Sequence, residues 1–197
     1  MNVFRHYLAL VLTCLLGPSL LFWLIIHPFI GFWRRLGAFR AYAVVIAVVG
    51  LGAGTLFLVR KRTMGIEFGT NWLLIAIGSL GIATAVVMRR RLHAHFGVAQ
   101  LAGLPELEPA RQPQRLVTEG LHGWIRHPRY VQYFLLILSF ALIANYLALF
   151  LTVVCWVPGI YLIVLLEERE LRDRFGRAYE EYCQGVPRFF PRWRRKI

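Results

Sequence analysis

Four stretches of this chain, residues 7–33, 41–59, 71–88 and 130–166, contain no Asp, Glu, Lys or Arg. They take up just over half of the 197 residues, so every charged side chain is crowded into the remainder. A water-soluble globule intersperses charge along its surface elements, and a disordered basic chain lacks long apolar runs. Neither description fits. A helix crossing about 30 Å of hydrocarbon needs about 20 apolar residues, and each of the first three stretches supplies roughly one such helix. The fold class that follows is all-α, a polytopic integral membrane protein.

The first stretch contains Pro18 and Pro28, which predict a kink or a break. The fourth would run about 55 Å as a single helix, too far for one crossing. It is predicted to fold as a helical hairpin over residues 128–166 that turns at Ala144-Asn145-Tyr146, because Asn is a poor helix-interior residue and a good turn former. The count is then about five transmembrane helices. Three lie in residues 1–92. The hairpin belongs to a second region, 93–197, together with a loop and a C-terminal helix and tail. The N-terminal run continues well beyond Gly17-Pro18-Ser19, so it is expected to be an uncleaved span and not a signal peptide.

A net charge of +13 suggests a nucleic-acid partner, but its distribution assigns it elsewhere. With five spans, 19 Lys and Arg residues fall on one side and 4 on the other. The positive-inside rule then puts the N-terminus outside and the C-terminus in the cytoplasm. Arg89-Arg90-Arg91 and the tail from Arg192 to Lys196 are expected to meet anionic membrane lipids, and no nucleic-acid partner is expected. Oligomeric state stays open. Cys14, Cys155 and Cys183 are too scattered for a disulfide framework, and His93, His95, His122 and His127 lack the ligand spacing of a metal site. Gly50-Leu51-Gly52-Ala53-Gly54 follows no strand, so it reads as close helix–helix approach and not as a nucleotide loop. Gly78 and Gly81 read the same way.

Two polar constellations border the hairpin. Arg126-His127-Pro128-Arg129-Tyr130 opens it, with Pro128 suited to the first helical position and His127 driven into an extended conformation. Free N–H groups at that helix start favour an anion. Glu167 and Glu168 lie where the last span leaves hydrocarbon, and carboxylates there need a partner, for which a cationic ligand is one candidate. Beyond them, apolar positions 171, 175, 178, 179 and 182 keep helical spacing, which predicts that the helix continues until Gly185 and Pro187.

Leu116-Val117-Thr118-Glu119-Gly120, Arg126-His127-Pro128-Arg129-Tyr130, Glu167-Glu168, Phe175-Gly176 and Val186-Pro187-Arg188 occur in an order that resembles the isoprenylcysteine carboxyl methyltransferase family and its bacterial relatives, including phospholipid methyltransferases. The resemblance covers roughly residues 114–191. It implies an S-adenosylmethionine-dependent methyltransferase that binds its cofactor without a Rossmann domain. Leu116, Val117, Gly120, Arg126, His127, Pro128, Tyr130, Glu167 and Glu168 would surround that cofactor, and Tyr130 and Arg188 would serve the reaction. The acceptor would be a lipophilic or amphipathic carboxylate, amine or thiol at the cytoplasmic membrane face. The same landmarks are similar to sterol and steroid reductases, as is Tyr182-Cys183-Gln184 before Val186. That alternative implies NADPH and hydride transfer to a lipid double bond. Such reductases usually carry an acidic residue shortly after the His-Pro motif, where this chain has Gln132-Tyr133. A non-catalytic membrane scaffold of the same fold is the third reading.

Overall fold

A computed structural model describes residues 3–93 and 115–192. His95 and the tail from Trp193 to Lys196 lie outside the described residues. The first helix, α1 (Val3–Ile26), runs through Pro18 without interruption. A proline is tolerated inside a membrane helix where neighbouring helices support the loosened turn. The predicted break comes at the second proline, where His27–Phe29 form a 3-10 turn. After it come α2 (Ile30–Leu36), α3 (Ala38–Leu58), α4 (Arg60–Thr63) and α5 (Trp72–His93). The Asn71 side chain caps α5, accepting from the amides of Leu73 and Leu74 at 3.0 and 3.2 Å.

The hairpin consists of α6 (Pro128–Ala144) and α7 (Leu147–Phe175), with the turn where the sequence predicts it. Asn145 adopts the left-handed conformation (φ 56°, ψ 49°) and donates its amide to Ala141 O at 2.8 Å, a closure that Asn tolerates better than other side chains. One expectation is corrected. The last helix does not continue to Gly185, because Gly176 (φ 51°) breaks the chain and α8 (Arg177–Gly185) starts afresh.

Among the described residues, four helices, α1, α3, α5 and α7, are long and apolar enough to cross a membrane. With 17 residues, α6 reaches about 25 Å and falls a little short of the usual span. Among the described residues there is one isolated backbone bridge, Glu67 to Tyr146, and no strand. Helices α1, α6 and α7 pack on one another at the centre, α3 leans on α1, and α5 lies along α6. The outer pair are the least buried of the long helices, as lipid-facing helices should be.

The end of the bundle near the hairpin turn is closed by Arg5, which is 3% exposed. Its guanidinium donates twice to Ala144 O (3.0 and 2.7 Å) and once to Thr70 Oγ1 (2.7 Å), and it pairs with Glu67 at 3.2 Å. A cation there satisfies a carbonyl that the end of α6 leaves unpaired.

Close approach through glycine holds at Gly52 and at Gly78 but not at Gly50 or Gly54, which have nothing within 4 Å. A Cβ on Gly52 would lie 3.1 Å from Pro18 of α1. One on Gly78 of α5 would lie 2.7 Å from both Ser139 O and Ile143 Cγ1 of α6. The Ser139 oxygen is backbone and cannot swing away, so Gly78→Val should force α5 off α6. We expect a loss of about 2 kcal/mol, read as a lowered thermal midpoint in detergent, whereas Gly50→Val, with open space around it, should leave that midpoint unchanged.

Candidate active site

Pro128 occupies the first turn of α6, and the residue before it, His127, is held out of the helix at φ −121°. The chain entering α6 is paired along its backbone with the segment that follows α8. Arg126 N donates to Pro187 O at 2.8 Å and His127 N to Arg188 O at 3.1 Å. Two sequence motifs 60 residues apart therefore form one structural unit.

Glu168 is the centre of that unit and is completely buried. Arg126 reaches its Oε1 through Nε and Nη2 at 3.1 and 2.8 Å. Arg188 contacts both oxygens through Nε (3.0 and 3.1 Å) and Oε2 again through Nη2 (2.8 Å). His127 Nε2 stands 3.2 Å from Oε1, and Arg172 lies 3.5 Å from Oε2. The remaining reach of Arg126 goes to the carbonyls of Cys183 (3.0 Å) and Val186 (2.8 Å). A buried carboxylate is tolerable only when its lone pairs are filled by well-placed donors, and here the chain's own arginines fill them. The Arg188 guanidinium is held above its usual pKa, chiefly by its hydrogen bonds to Glu168.

A second layer steadies this knot. Tyr182 donates its hydroxyl to His122 O at 2.7 Å, and burial pushes that phenol up to about 12. The His122 ring places Nδ1 3.2 Å from Arg126 O. Burial pushes its pKa down to about 4, against the hydrogen bond to that carbonyl. His122 is thus neutral at neutral pH, with its proton on Nδ1, since a carbonyl can only accept.

Beside the knot lies a polar cavity of about 90 Å³, lined by Leu92, His122, Arg126, His127, Arg129, Tyr130 and Glu167. Glu167 sits 3.6 Å from His127 Nδ1 and 3.9 Å from Arg129 Nη2, while Arg129 donates to the Tyr130 hydroxyl at 3.4 Å. Of the residues singled out from the sequence, Arg126, His127, Tyr130 and Glu167 meet at this cavity. Pro128 sets the helix start, and Glu168 and Arg188 form the knot behind it. Leu116 and Val117 are half-buried, and Gly120 (φ 61°) opens the short 3-10 turn that carries His122. None of these three lines the cavity. The sequence reading passed over His122 and Arg129 as site residues. Arg129 is inside the motif that was read, and only its contacts with Tyr130 and Glu167 distinguish it from an orienting surface charge.

Tyr130 has a second surface. It also lines an apolar groove of about 740 Å³ whose walls come from α1 (Leu16, Phe22), α3 (Tyr42, Ile46, Gly50), α6 (Tyr133, Ile137) and α7 (Trp156, Ile160, Ile163). Nothing in the sequence marks this groove, because it arises where α3 packs on α1 and leaves α6 uncovered. Among the described residues, no group of three or more His, Cys, Asp or Glu side chains is placed to hold a metal ion.

Residues 98–192 match the model of the ergosterol biosynthesis ERG4/ERG24 family. The Delta(14)-sterol reductase TM7SF2 of Mus musculus is 32% identical over 96 residues, covering 44% of this chain and 21% of that protein. The Delta(14)-sterol reductase LBR of Gallus gallus is 33% identical over 85 residues, covering 40% of this chain and 13% of that protein. The chain thus spans about a fifth or less of the length of these relatives. No solved structure matches.

These matches overturn the expectation of an isoprenylcysteine or phospholipid methyltransferase, and with it methyl transfer and S-adenosylmethionine as the cofactor. The geometry gives a physical reason for the misreading. Glu168 was expected to receive a ligand's ammonium or sulfonium, but two arginines and a histidine already saturate it. The motifs that carried the resemblance build this internal knot, and a knot of this kind does not specify the cofactor. In its C-terminal half, the chain is similar to sterol reductases of the ERG4/ERG24 family.

Proposed function

We propose that this chain is a membrane-embedded reductase that saturates a carbon–carbon double bond of a sterol-type lipid, with NADPH as hydride source. The observation that carries this reading is the position of Tyr130, which belongs to the polar cavity and to the apolar groove at once. A water-soluble cofactor and a lipid acceptor can meet only at such a junction. The names of the relatives, both Delta(14)-sterol reductases, support the same chemistry.

The groove, at about 740 Å³, falls within the range of about 300–1,000 Å³ typical of sites for small organic ligands. The polar cavity is smaller and suits only one end of a dinucleotide. Its donor set fits that end. Arg129 offers positive charge to phosphate oxygens, and His122, with its proton on Nδ1, offers Nε2 as an acceptor to an amide N–H. Glu168, with its oxygens filled by the chain, holds no part of the ligand.

When bound, NADPH would supply a hydride to one alkene carbon and leave as NADP⁺. The other carbon takes a proton from the Tyr130 hydroxyl, which is restored from water, so one C=C becomes two C–H bonds per cofactor oxidised. Arg129, donating to that hydroxyl at 3.4 Å, puts positive charge where negative charge develops as the proton departs. In this reading residues 93–197 form the catalytic region, and residues 1–92 supply membrane helices of which α1 and α3 complete the walls of the groove. The N-terminus lies outside and the C-terminus in the cytoplasm, by the 19-to-4 bias of basic residues.

The purified chain in detergent should oxidise NADPH only when a Δ14-unsaturated sterol is added, followed by loss of dihydronicotinamide absorbance. Oxidation that ignores the sterol, or none by folded protein, would overturn the reading.

A further inference from the structure

Toward the hairpin-turn end of the bundle, away from the Glu168 knot, a separate cavity of about 390 Å³ lies between α1, α4 and α7. Thr13 and Gly17 of α1, Arg62 of α4, and Thr152 and Trp156 of α7 contribute to its walls, and no acidic residue lines it. Arg62 is exposed, and its guanidinium has no hydrogen bond or ion pair among the described residues. Its neighbour Arg60 is used differently, donating to Phe57 O at 2.9 Å and lying over the Phe57 ring.

The inner wall carries a complementary anomaly. Three serine and threonine side chains are buried in the described helices. Ser139 and Thr152 donate to the carbonyl four residues earlier, Leu135 O at 2.7 Å and Ala148 O at 2.9 Å. Thr13 does not, and its hydroxyl is buried with no partner. Back-bonding is the ordinary way for a helical threonine to satisfy its hydroxyl, and in hydrocarbon no water replaces the missing acceptor.

An unpaired cation at the exposed side, an unmet donor in the wall and apolar surface between them describe a ligand with an acidic headgroup, an oxygen acceptor a few atoms below it and a hydrocarbon body. We propose that this cavity binds one anionic phospholipid, its phosphate paired with Arg62 and an ester carbonyl accepting from Thr13. A shift between the threonine's staggered χ1 rotamers exchanges its methyl and hydroxyl, so the donor turns to the lipid without movement of the helix. The proposal is independent of the reductase reading, since Trp156 borders both cavity and groove but neither Arg62 nor Thr13 lines the groove or touches Glu168.

Native mass spectrometry of the full chain in mild detergent, titrated with phosphatidylglycerol and with phosphatidylcholine of equal chain length, tests it. The wild type should prefer phosphatidylglycerol, and Arg62→Gln should lose about five-fold of that preference. Lys61→Gln removes a neighbouring charge that does not line the cavity and should retain it. Thr13→Val, which keeps the side-chain shape, should weaken binding of phosphatidylglycerol about three-fold or more. Equal losses in Arg62→Gln and Lys61→Gln would mean general attraction to a basic face and would overturn the site. Unchanged binding by Thr13→Val would do the same. Displacement of phosphatidylglycerol by an equal concentration of oleate would overturn the phospholipid assignment in favour of a fatty acid.

Discussion

Glu168→Ala should cost about 3–5 kcal/mol, enough to release the end of the molecule that holds the knot. The size follows from what the substitution strands. Arg126, 9% exposed at its side chain, loses the one carboxylate it pairs with among the described residues, and Arg188 loses three short contacts with it. Arg126 still reaches the carbonyls of Cys183 and Val186, but its charge is then buried and uncompensated. The chain entering α6, the turn carrying His122 and the segment after α8 are joined mainly through this carboxylate and the backbone pairs beside it. They should come apart together. Thermal unfolding in detergent should show a lower midpoint, and limited proteolysis should cut near residues 115–127 and 186–192 while α1 to α5 stay protected. An unchanged midpoint would mean that the knot is incidental to the fold. Glu168→Gln keeps the shape and loses the charge, and it should fall between the two.

Tyr130→Phe should leave the fold intact and lower the rate of sterol reduction by about a hundred-fold or more, the usual scale for removal of a positioned general acid. The ring, 3% exposed, continues to fill its place between cavity and groove. Only the hydroxyl that Arg129 contacts is lost. Tyr133→Phe is the natural control, because Tyr133 lines the groove but not the polar cavity. It should change the rate by only a few-fold, through substrate fit. Equal, small effects from both variants would remove Tyr130 from the chemistry.

What the sequence disclosed depended on the range of the interaction involved. The hairpin turn was legible because Asn145 carries its own conformational preference, and the start of α6 because Pro128 and the restriction on His127 are local. Glu168 was legible as a carboxylate in need of a partner at the edge of hydrocarbon. Its partners were not, since Arg126 and Arg188 lie 42 and 20 residues away, and a bound cation took their place in the reading. The sequence marks Arg5 only as one of the 4 basic residues on the N-terminal side, whereas the fold buries it against Ala144 O, 139 residues distant. The break at Gly176 was missed because the apolar spacing carries on across it. The groove at Tyr130 depends on how α3 rests on α1, a packing outcome with no residue signature. The same limits explain the functional misreading, as a short set of motifs that forms an internal knot resembles more than one kind of enzyme.

Hydride transfer across the Tyr130 junction can be followed with an isotope label. The full chain is incubated with a Δ14-unsaturated sterol and NADPH deuterated at the transferable position, and the sterol product is analysed by mass spectrometry. The expected result is a saturated product carrying one deuterium from the cofactor, formed by wild type and nearly absent with Tyr130→Phe. A saturated product without deuterium, or recovery of unchanged sterol from correctly folded protein, would contradict it.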